Sequence, residues 1–363
     1  MSHPDTIVAR ELLNGFSNGF RLNYTGPHIH SMSKNLVSAE QFSNETLAKI
    51  QNEVNLGRML GPFKYLSIST LRISPIGLVP KSDGNWRLIT HLSYPQDGSV
   101  NSFINPELCN VSFSSFDNIL DKIYECGNGT EHAKVDIKSA FRLLIVNPSD
   151  FELLGIYFVG KFYIDKCLPM ECAISCSLFE KFSTFLQWAV EEACGLHSVD
   201  HYLDDFLFVG QKDTNNYLTL MNTFKHICGD LGVLIADNKT MGPAEVIHFL
   251  GFTIDTVLMM VRIPEEKLHK LSVSLKNLLQ RKKVFLKDLE SFIGLLAYCS
   301  RAIPSSRAFI ARFSDLIASV KVKKPYYMIR INKEVKGDVL IWLIFFRQFQ
   351  WPVLFSRKSL VVE

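Results

Sequence analysis

The most constraining feature of this sequence is Tyr202-Leu203-Asp204-Asp205, where two adjacent aspartates stand between two apolar runs. The runs within residues 201–209 predict two strands, so the aspartates are expected at the tight turn of a β-hairpin. Carboxylates among apolar neighbours are costly unless a cation compensates them. Mg²⁺ prefers oxygen ligands of this kind. The pattern therefore predicts a metal-binding hairpin, with an ordinary Asp-rich turn as the alternative for a bare pair.

A third carboxylate changes the balance between these two interpretations. Asp136 ends a short apolar strand predicted over residues 133–137 and is followed by Lys138-Ser139-Ala140-Phe141. If this strand neighbours the hairpin, three carboxylates meet at one place. Such a cluster can hold two divalent ions roughly 3.5–4 Å apart, one activating an attacking hydroxyl and one stabilising the leaving oxygen. That is the requirement for transferring a nucleotide to a primer end.

Composition places the chain among ordinary folded proteins. Of 363 residues, 47% are apolar and 21% are charged, which excludes a disordered chain. The first residues lack the basic start and apolar core of a secretory signal, and the apolar stretch 339–346 is too short to span a bilayer. We therefore expect an intracellular protein, cytoplasmic or nuclear, without a membrane partner.

The eight cysteines show no paired C-x-x-C knuckles. Cys194, His197 and His201 resemble zinc ligands in type but lack a matching second pair. Buried thiols and structural imidazoles are the favoured interpretation.

Charge is distributed unevenly along the chain. Residues 262–363 carry 20 Lys and Arg against 8 Asp and Glu, whereas residues 1–261 carry 19 against 28. An acidic part followed by a basic part suits an enzyme that collects metal ions in one place and phosphates in another. Lys-rich helix faces in solvent are the alternative. Arg281-Lys282-Lys283 is too weak a cluster for a nuclear signal, and we interpret it as a solvated helix end or a contact to a nucleic-acid backbone.

Periodicity and turn residues predict an α+β fold. Residues 1–56 are expected to form a polar extension with a helix over 43–56. Hairpins are predicted over 73–92, with a turn at Ser82-Asp83-Gly84-Asn85 flanked by Lys81 and Arg87, and over 155–164. Helices are predicted over 116–124 and along Ile174, Leu178, Phe182, Leu186 and Ala189. After residue 262, leucines and phenylalanines at helical spacing predict three successive amphipathic helices.

Several segments resemble reverse transcriptases, in the order expected for that family: VDIKSAF, YLDD and HFLGF. The longer segments NEVNLGRMLGPF, SPIGLVPKSDGNWRLITHLSYP, LPMECAISCSLFEKFSTFL and LESFIGLLAYCSRAI are similar to DIRS-type retrotransposons, which integrate with a tyrosine recombinase. The resemblance extends from about residue 13 to residue 346.

The resemblance implies a right-hand polymerase: an N-terminal extension over 1–56, fingers and palm with an antiparallel sheet over 57–261, a helical thumb over 262–320, and a connection-like tail over 321–363. It implies an RNA-directed DNA polymerase that adds dNTPs to the 3′-hydroxyl of a primer on an RNA or DNA template, with other retrotransposon proteins as further partners. No ribonuclease H residues are recognisable, so we expect that activity to be absent.

The same resemblance implies roles for individual residues. Asp136, Asp204 and Asp205, with the carbonyl of Ile137, would bind two Mg²⁺ or Mn²⁺ ions. Phe141 would exclude a ribose 2′-hydroxyl, which argues against an RNA-making polymerase. The other implied roles are nucleotide binding by Lys81, Arg87 and Lys239, and a primer grip formed by Phe249, Leu250, Gly251 and Phe252.

One departure from the family pattern bears on activity. Leu168-Pro169-Met170-Glu171 stands where many reverse transcriptases have Leu-Pro-Gln-Gly. A side chain in place of glycine restricts backbone torsions, and a carboxylate would repel a triphosphate. A degenerate or domesticated copy that binds nucleic acid without polymerising is therefore the alternative function.

Overall fold

The computed structural model describes residues 3–81, 84–320, 324, 326–348 and 353–354. The helices are α1 (Thr6–Asn18), α2 (Val37–Gln41), α3 (Ser43–Asn55), α4 (Phe116–Cys126), α5 (Ser175–Cys194), α6 (Asn216–Asp230), α7 (Glu265–Gln280), α8 (Leu286–Cys299), α9 (Ala311–Ala318) and α10 (Lys333–Gln348). The strands are β1 (Ser31–Met32), β2 (Met59–Phe63), β3 (Arg72–Ile73), β4 (Ile76–Pro80), β5 (Trp86–Thr90), β6 (Glu131–Asp136), β7 (Gly155–Phe158), β8 (Lys161–Asp165), β9 (Val199–Tyr202), β10 (Asp205–Gly210), β11 (Met241–Ala244), β12 (Val246–Phe249), β13 (Phe252–Asp255), β14 (Met260–Arg262), β15 (Lys283–Phe285), β16 (Met328–Arg330) and β17 (Val353–Leu354).

The chain divides into two compact units, each made of three segments. Unit 1 contains Met1–Phe113, Val135–Phe206 and Asn222–Thr240, and unit 2 contains Ser114–Lys134, Leu207–Met221 and Met241–Glu363. Both units mix helices with strands, as the α+β prediction required.

Unit 1 contains a five-stranded sheet in the order β1-β3-β7-β8-β2 and the two-stranded hairpin β4-β5. The predicted hairpins are confirmed: β4 pairs antiparallel with β5, and β7 with β8. The predicted turn residues Ser82 and Asp83 lie outside the described residues. Beneath the strands, Ile50 of α3 and Ile76 of β4 are fully buried in one apolar cluster with Ile156 of β7. This apolar side explains why the hairpin and the sheet pack on the same helices.

A buried ion network stabilises unit 1. Arg142 donates through Nη1 to Asp165 at 2.7 Å and through Nη2 and Nε to Glu53 at 2.9 and 3.1 Å. Burial, as the largest effect, raises the pKa of Asp165, and the Arg142 guanidinium opposes that shift. Three charge-assisted bonds therefore join α3, β8 and the one-turn segment Ala140–Leu143.

The first fifty-five residues are part of unit 1, which the description as a polar extension did not anticipate. The helix predicted over 43–56 is confirmed as α3, but α1 was missed. After α1, Phe20 and Leu22 are buried, and the Leu22 amide donates to the Asp150 carboxylate at 2.7 Å. The polar sequence of this segment conceals a few apolar residues that a distant part of the chain covers.

The strands that carry the three aspartates are neighbours, which was the condition for the predicted carboxylate cluster. A four-stranded sheet has the order β11-β6-β10-β9, with Asp136 ending β6 and Asp205 beginning β10. β6 and β10 each contribute residues to both units.

Unit 2 contains the sheet β12-β13-β14-β17, the ribbon β15-β16 and the C-terminal helices. The three helices predicted after residue 262 are confirmed as α7, α8 and α9. Their apolar faces share one cluster with α10, whose Trp342 is fully buried and donates its indole N–H to the Phe309 carbonyl at 3.2 Å. No helix within the described residues is both long and apolar enough to cross a membrane.

Candidate active site

The two adjacent aspartates stand at a strained hairpin turn. Tyr202 ends β9 and Asp205 begins β10, so Leu203 and Asp204 make the turn. Leu203 has φ 54°, in the left-handed region that residues with a branched side chain rarely adopt. The exposed ring of Tyr202 packs against Phe113, with ring centroids 4.6 Å apart. Strain of this kind persists where surrounding contacts hold the turn in place, and it is common at functional sites.

Backbone hydrogen bonds bring the third carboxylate beside this turn. The amide of Ile137 donates to the carbonyl of Asp204 at 2.9 Å, so the residue after Asp136 is tied directly to the turn. On its other side, the Asp136 carbonyl accepts from the Ala236 amide at 2.8 Å. Asp136, Asp204 and Asp205 therefore belong to one site within unit 1.

Lys239 supplies the positive charge in this site. Its Nζ donates to Asp136 Oδ2 at 2.8 Å, although the lysine side chain is 57% exposed. The hydrogen bond to Asp136 is the main reason that the pKa of Lys239 is raised, so the lysine stays protonated. Burial raises the pKa of Asp204, the charges of Asp136 and Asp205 raise it further, and Lys239 opposes them. Three carboxylates and one ammonium leave the site short of positive charge.

The donor set fits a divalent metal in its chemistry. Two or three aspartate oxygens and a carbonyl are the ligands that Mg²⁺ takes in phosphoryl-transfer sites. The side chains do not yet converge: across the described residues, no three His, Cys, Asp or Glu side chains surround a point that one cation could occupy. The contact between Asp136 and Lys239 accounts for part of this, since the carboxylate oxygen is already used.

A buried polar cluster around His201 packs against the strands that lead into and out of the turn. The sequence analysis did not identify this cluster. His201 donates through Nδ1 to Gln187 Oε1 at 2.6 Å, and its Nε2 lies 3.2 Å from Glu180 Oε1. The imidazole stacks on Phe206, with centroids 5.3 Å apart. His201 lies on β9 and Phe206 on β10. The contacts of His201 with Phe206 and with α5 therefore hold both strands of the hairpin against that helix. Helical spacing of Glu180 and Gln187 on one face of α5 was the only signal that the sequence offered.

The residues considered for zinc have other neighbours. Cys194 Sγ lies 3.2 Å from Thr223 Oγ1, His197 is exposed near Glu191, and His201 belongs to the buried group just described.

Two residues predicted to bind the nucleotide lie at the β4-β5 hairpin. Lys81 and Arg87 are exposed, and Arg87 Nη1 lies 3.7 Å from Met170 Sδ. Glu171 follows Met170, and its carboxylate accepts hydrogen bonds from its own amide and from that of Thr90. Burial raises the pKa of Glu171, and the charge of Arg87 lowers it. The arginine predicted to bind the triphosphate thus lies near a carboxylate.

The backbone of Glu171 does not need glycine. Its φ is not among the positive values in the chain, so a side chain causes no torsional strain there. The concern about backbone torsions is therefore wrong, because the local turn is made from ordinary conformations. The concern about negative charge remains.

Phe141 is buried, and its ring lies 5.1 Å from that of Phe179 in α5. Packing on α5 fixes the ring in unit 1, which also contains the three aspartates and Lys239.

The predicted primer-grip residues lie in unit 2. Phe249 ends β12, Phe252 begins β13, and Leu250 and Gly251 make the turn with φ 48° and 82°. Tyr298 donates its hydroxyl to the Gly251 carbonyl at 2.5 Å and stacks on Phe252 at 4.6 Å. A Cβ at Gly251 would lie 2.9 Å from that hydroxyl, so this turn requires glycine.

Known proteins share both sequence and fold with the chain. It is 24% identical over 269 residues, or 74% of its length, to the Pro-Pol polyprotein of feline foamy virus. It is 23% identical over 87% of its length to that of simian foamy virus type 3 (strain LK3), and 24% identical over 53% to Protein P of duck hepatitis B virus. The chain spans 21%, 24% and 22% of these relatives. No model of a protein family matches it.

Solved structures agree over more of the chain. The foamy viral protease–reverse transcriptase in complex with double-stranded DNA superposes with a TM-score of 0.65 over 93% of this chain and 62% of that one, at 18% identity. The same viral protein with an RNA/DNA hybrid gives 0.62 over 92% and 40%, at 17% identity. The chain therefore has the right-hand polymerase fold found in reverse transcriptases.

Proposed function

We propose that the chain is an RNA-directed DNA polymerase of a retrotransposon, which adds dNTPs to the 3′-hydroxyl of a primer. The observation that carries the proposal is the hydrogen bond from Ile137 to Asp204, because it places Asp136 beside Asp204 and Asp205 at the end of β6. In a right-hand polymerase fold, three carboxylates at this position favour nucleotidyl transfer over any other chemistry. Relatives that are reverse transcriptases support the same activity.

Asp136, Asp204 and Asp205, with the Ile137 carbonyl, would hold two Mg²⁺ or Mn²⁺ ions. When bound, such ions neutralise developing charge on the phosphate and lower the pKa of the attacking hydroxyl. The chain's own contribution is to keep the carboxylates ionised and close together. The raised pKa of Asp204 makes this costly without a cation, and Lys239 offsets part of the cost.

Lys239 also has the properties of a proton donor to the leaving pyrophosphate. Its pKa is raised, so it carries a proton, and its side chain is exposed enough to move. Arg87 and Lys81 would bind the triphosphate, since Arg binds phosphate oxygens in pairs. Arg87 must then exchange the electrostatic attraction of Glu171 for that of the nucleotide.

The template would be RNA or DNA paired to a primer. Viral proteins of the same fold are known with double-stranded DNA and with an RNA/DNA hybrid, and the basic residues after 262 suit a backbone contact that does not depend on sequence. The segments similar to DIRS-type elements support the proposal that the chain comes from that group of retrotransposons.

The test is primer extension on an RNA template with dNTPs and Mg²⁺ or Mn²⁺. We expect extension by the wild-type chain and none by the Asp204→Asn/Asp205→Asn variant, with template–primer binding retained in both. The exposed Glu192→Gln variant on α5 is the matched control and should extend normally. Extension that survives the double substitution would refute the assignment of the site.

The alternative function, a copy that binds nucleic acid without polymerising, is favoured by Glu171. If the wild-type chain binds template–primer but does not extend it, Glu171→Gln and Glu171→Gly should be compared. Recovery in both variants would identify the charge of Glu171 as the defect. No recovery in either would support the non-catalytic function.

A further inference from the structure

The ribbon β15-β16 in unit 2 has one apolar and one cationic face. Val284 pairs with Ile329, and both side chains are buried in the helical cluster. The residues on either side of Val284 point the opposite way because side chains alternate along a strand. Lys283 therefore faces Arg330, and Phe285 faces Met328, on the solvent side of the ribbon.

The Lys283–Arg330 pair is unfavourable unless an anion binds it. Like charges directly opposite each other destabilise an antiparallel pair. Within the described part of the chain, neither side chain forms an ion pair. The surroundings add more positive charge: Arg281, Lys282 and Lys287 are exposed. Residues 316–333 contain five Lys and Arg and no Asp or Glu.

Large apolar side chains occupy the rest of this face. Phe285 is 45% exposed and Met328 46%, although Val284 and Ile329, which adjoin them along the two strands, are buried. Tyr326, two residues before Met328 and on the same side by alternation, is 69% exposed. Burial in the core does not explain these residues, since the core lies on the other side of the ribbon.

We propose that this outward face, defined by Lys283, Phe285, Met328 and Arg330, binds single-stranded nucleic acid. An unpaired base stacks on Phe285 and packs against Met328, and the phosphates lie against Lys283 and Arg330. An aromatic side chain beside cationic ones is the combination that binds single strands without reading sequence. A duplex satisfies the cations but leaves the apolar side chains exposed, because its bases are stacked inside the helix. The inference rests on the proposed function in one respect, that the ligand of this chain is nucleic acid.

The test measures binding of two fluorescent oligomers, oligo-dT and an abasic oligomer of equal length, to the whole chain. Phe285→Thr/Met328→Thr removes the stacking surface and keeps good strand formers. We expect it to weaken oligo-dT binding by about 5- to 150-fold, the range for losing one stacked base, with little change for the abasic oligomer. Lys283→Gln/Arg330→Gln should weaken both oligomers and reduce the slope of log affinity against log salt by about 1.4, that is 0.7 for each phosphate contact.

Matched variants control for apolar area and for charge. Val246→Thr removes a 45% exposed apolar side chain from another strand of unit 2, and Lys161→Gln/Lys212→Gln removes two exposed cations elsewhere. Both should bind within about twofold of wild type. Thermal melts of every variant exclude unfolding. Photo-crosslinking of a 4-thiouracil oligomer to the wild-type chain adds a readout without substitution, with crosslinks expected in peptides covering 281–290 or 326–330.

Unchanged oligo-dT binding by the threonine variant, or crosslinks only elsewhere, would overturn the inference. If only Lys283→Gln/Arg330→Gln weakened binding, the face would be an electrostatic contact without base stacking, and this result would also overturn the inference. The outcome is independent of polymerase activity. The Asp204→Asn/Asp205→Asn variant should keep oligo-dT binding, so a chain that fails to extend primers can still bind single strands here.

Discussion

Neutralising one carboxylate of the candidate active site should stabilise the chain and remove its response to metal. Burial and the charges of Asp136 and Asp205 raise the pKa of Asp204, which means that the folded protein disfavours the ionised carboxylate there. Asp204→Asn keeps the size and most hydrogen-bonding capacity of the side chain. The substitution therefore removes repulsion with little loss of packing.

The expected gain without metal is about 1 kcal/mol, within the range of about 0.5–2 kcal/mol for single stabilising substitutions. For a unit of this size, that corresponds to about 2–4 °C in Tm. Mg²⁺ should instead stabilise the wild-type chain relative to the variant. At a concentration ten times its dissociation constant, one bound ion stabilises the wild-type chain by about 1.4 kcal/mol. The variant should gain little of this stabilisation from Mg²⁺.

The assay is thermal melting in EDTA and then across a Mg²⁺ titration, with Glu192→Gln as a charge-matched control that follows the wild type. We expect the variant to be more stable than the wild type in EDTA and to lose that advantage at saturating Mg²⁺. A variant that is less stable in EDTA would show that Lys239 already overcompensates the carboxylates. An unchanged Mg²⁺ response would show that Asp204 is not a ligand, whatever the activity of the chain.

Three further predictions concern stability. Arg142→Met should cost about 3–5 kcal/mol in urea denaturation, because it leaves Asp165 buried without its partner, and a loss below about 1 kcal/mol would contradict the network. Trp342→Ala should cost about 3–5 kcal/mol by opening a cavity in unit 2, and a conservative Trp342→Phe should recover most of it; equal losses in both would argue against a packing role. Glu171→Gln should raise Tm more at pH 7 than at pH 4. Below the ordinary pKa of a carboxyl group, Glu171 is protonated in both the folded and the unfolded chain. As the pH rises toward the raised pKa of the folded chain, the unfolded chain releases its proton first, so ionisation of Glu171 favours unfolding. A gain in Tm that does not depend on pH would refute this.

Local patterns in the sequence were enough to predict several helices and strands and the turn at the candidate active site. The turn at Asp204 follows from two apolar strands that flank a polar pair, and the helices α7, α8 and α9 follow from leucines at helical spacing. Each of these signals lies within about twenty residues. Backbone hydrogen bonding and side-chain alternation act at that range, so the pattern and the structure agree.

Contacts between distant residues were beyond these patterns. Arg142 bonds Glu53 from 89 residues away, and the Lys239–Asp136 pair spans 103 residues. α1 and the buried segment after it read as polar because their few apolar residues are covered by distant elements.

The sequence by itself determined that Asp136 and Asp205 stand at strand ends with Asp204 in the turn between strands, and that a basic C-terminal part contains successive amphipathic helices. Only the tertiary structure decided that Asp136 is held by Lys239, that Glu171 faces Arg87, and that Lys283 and Arg330 share one face of a ribbon. The physical reason is that spacing along a chain determines which side of an element a residue occupies. Which charged groups and surfaces contact that side of the helix or strand depends on how the elements pack together.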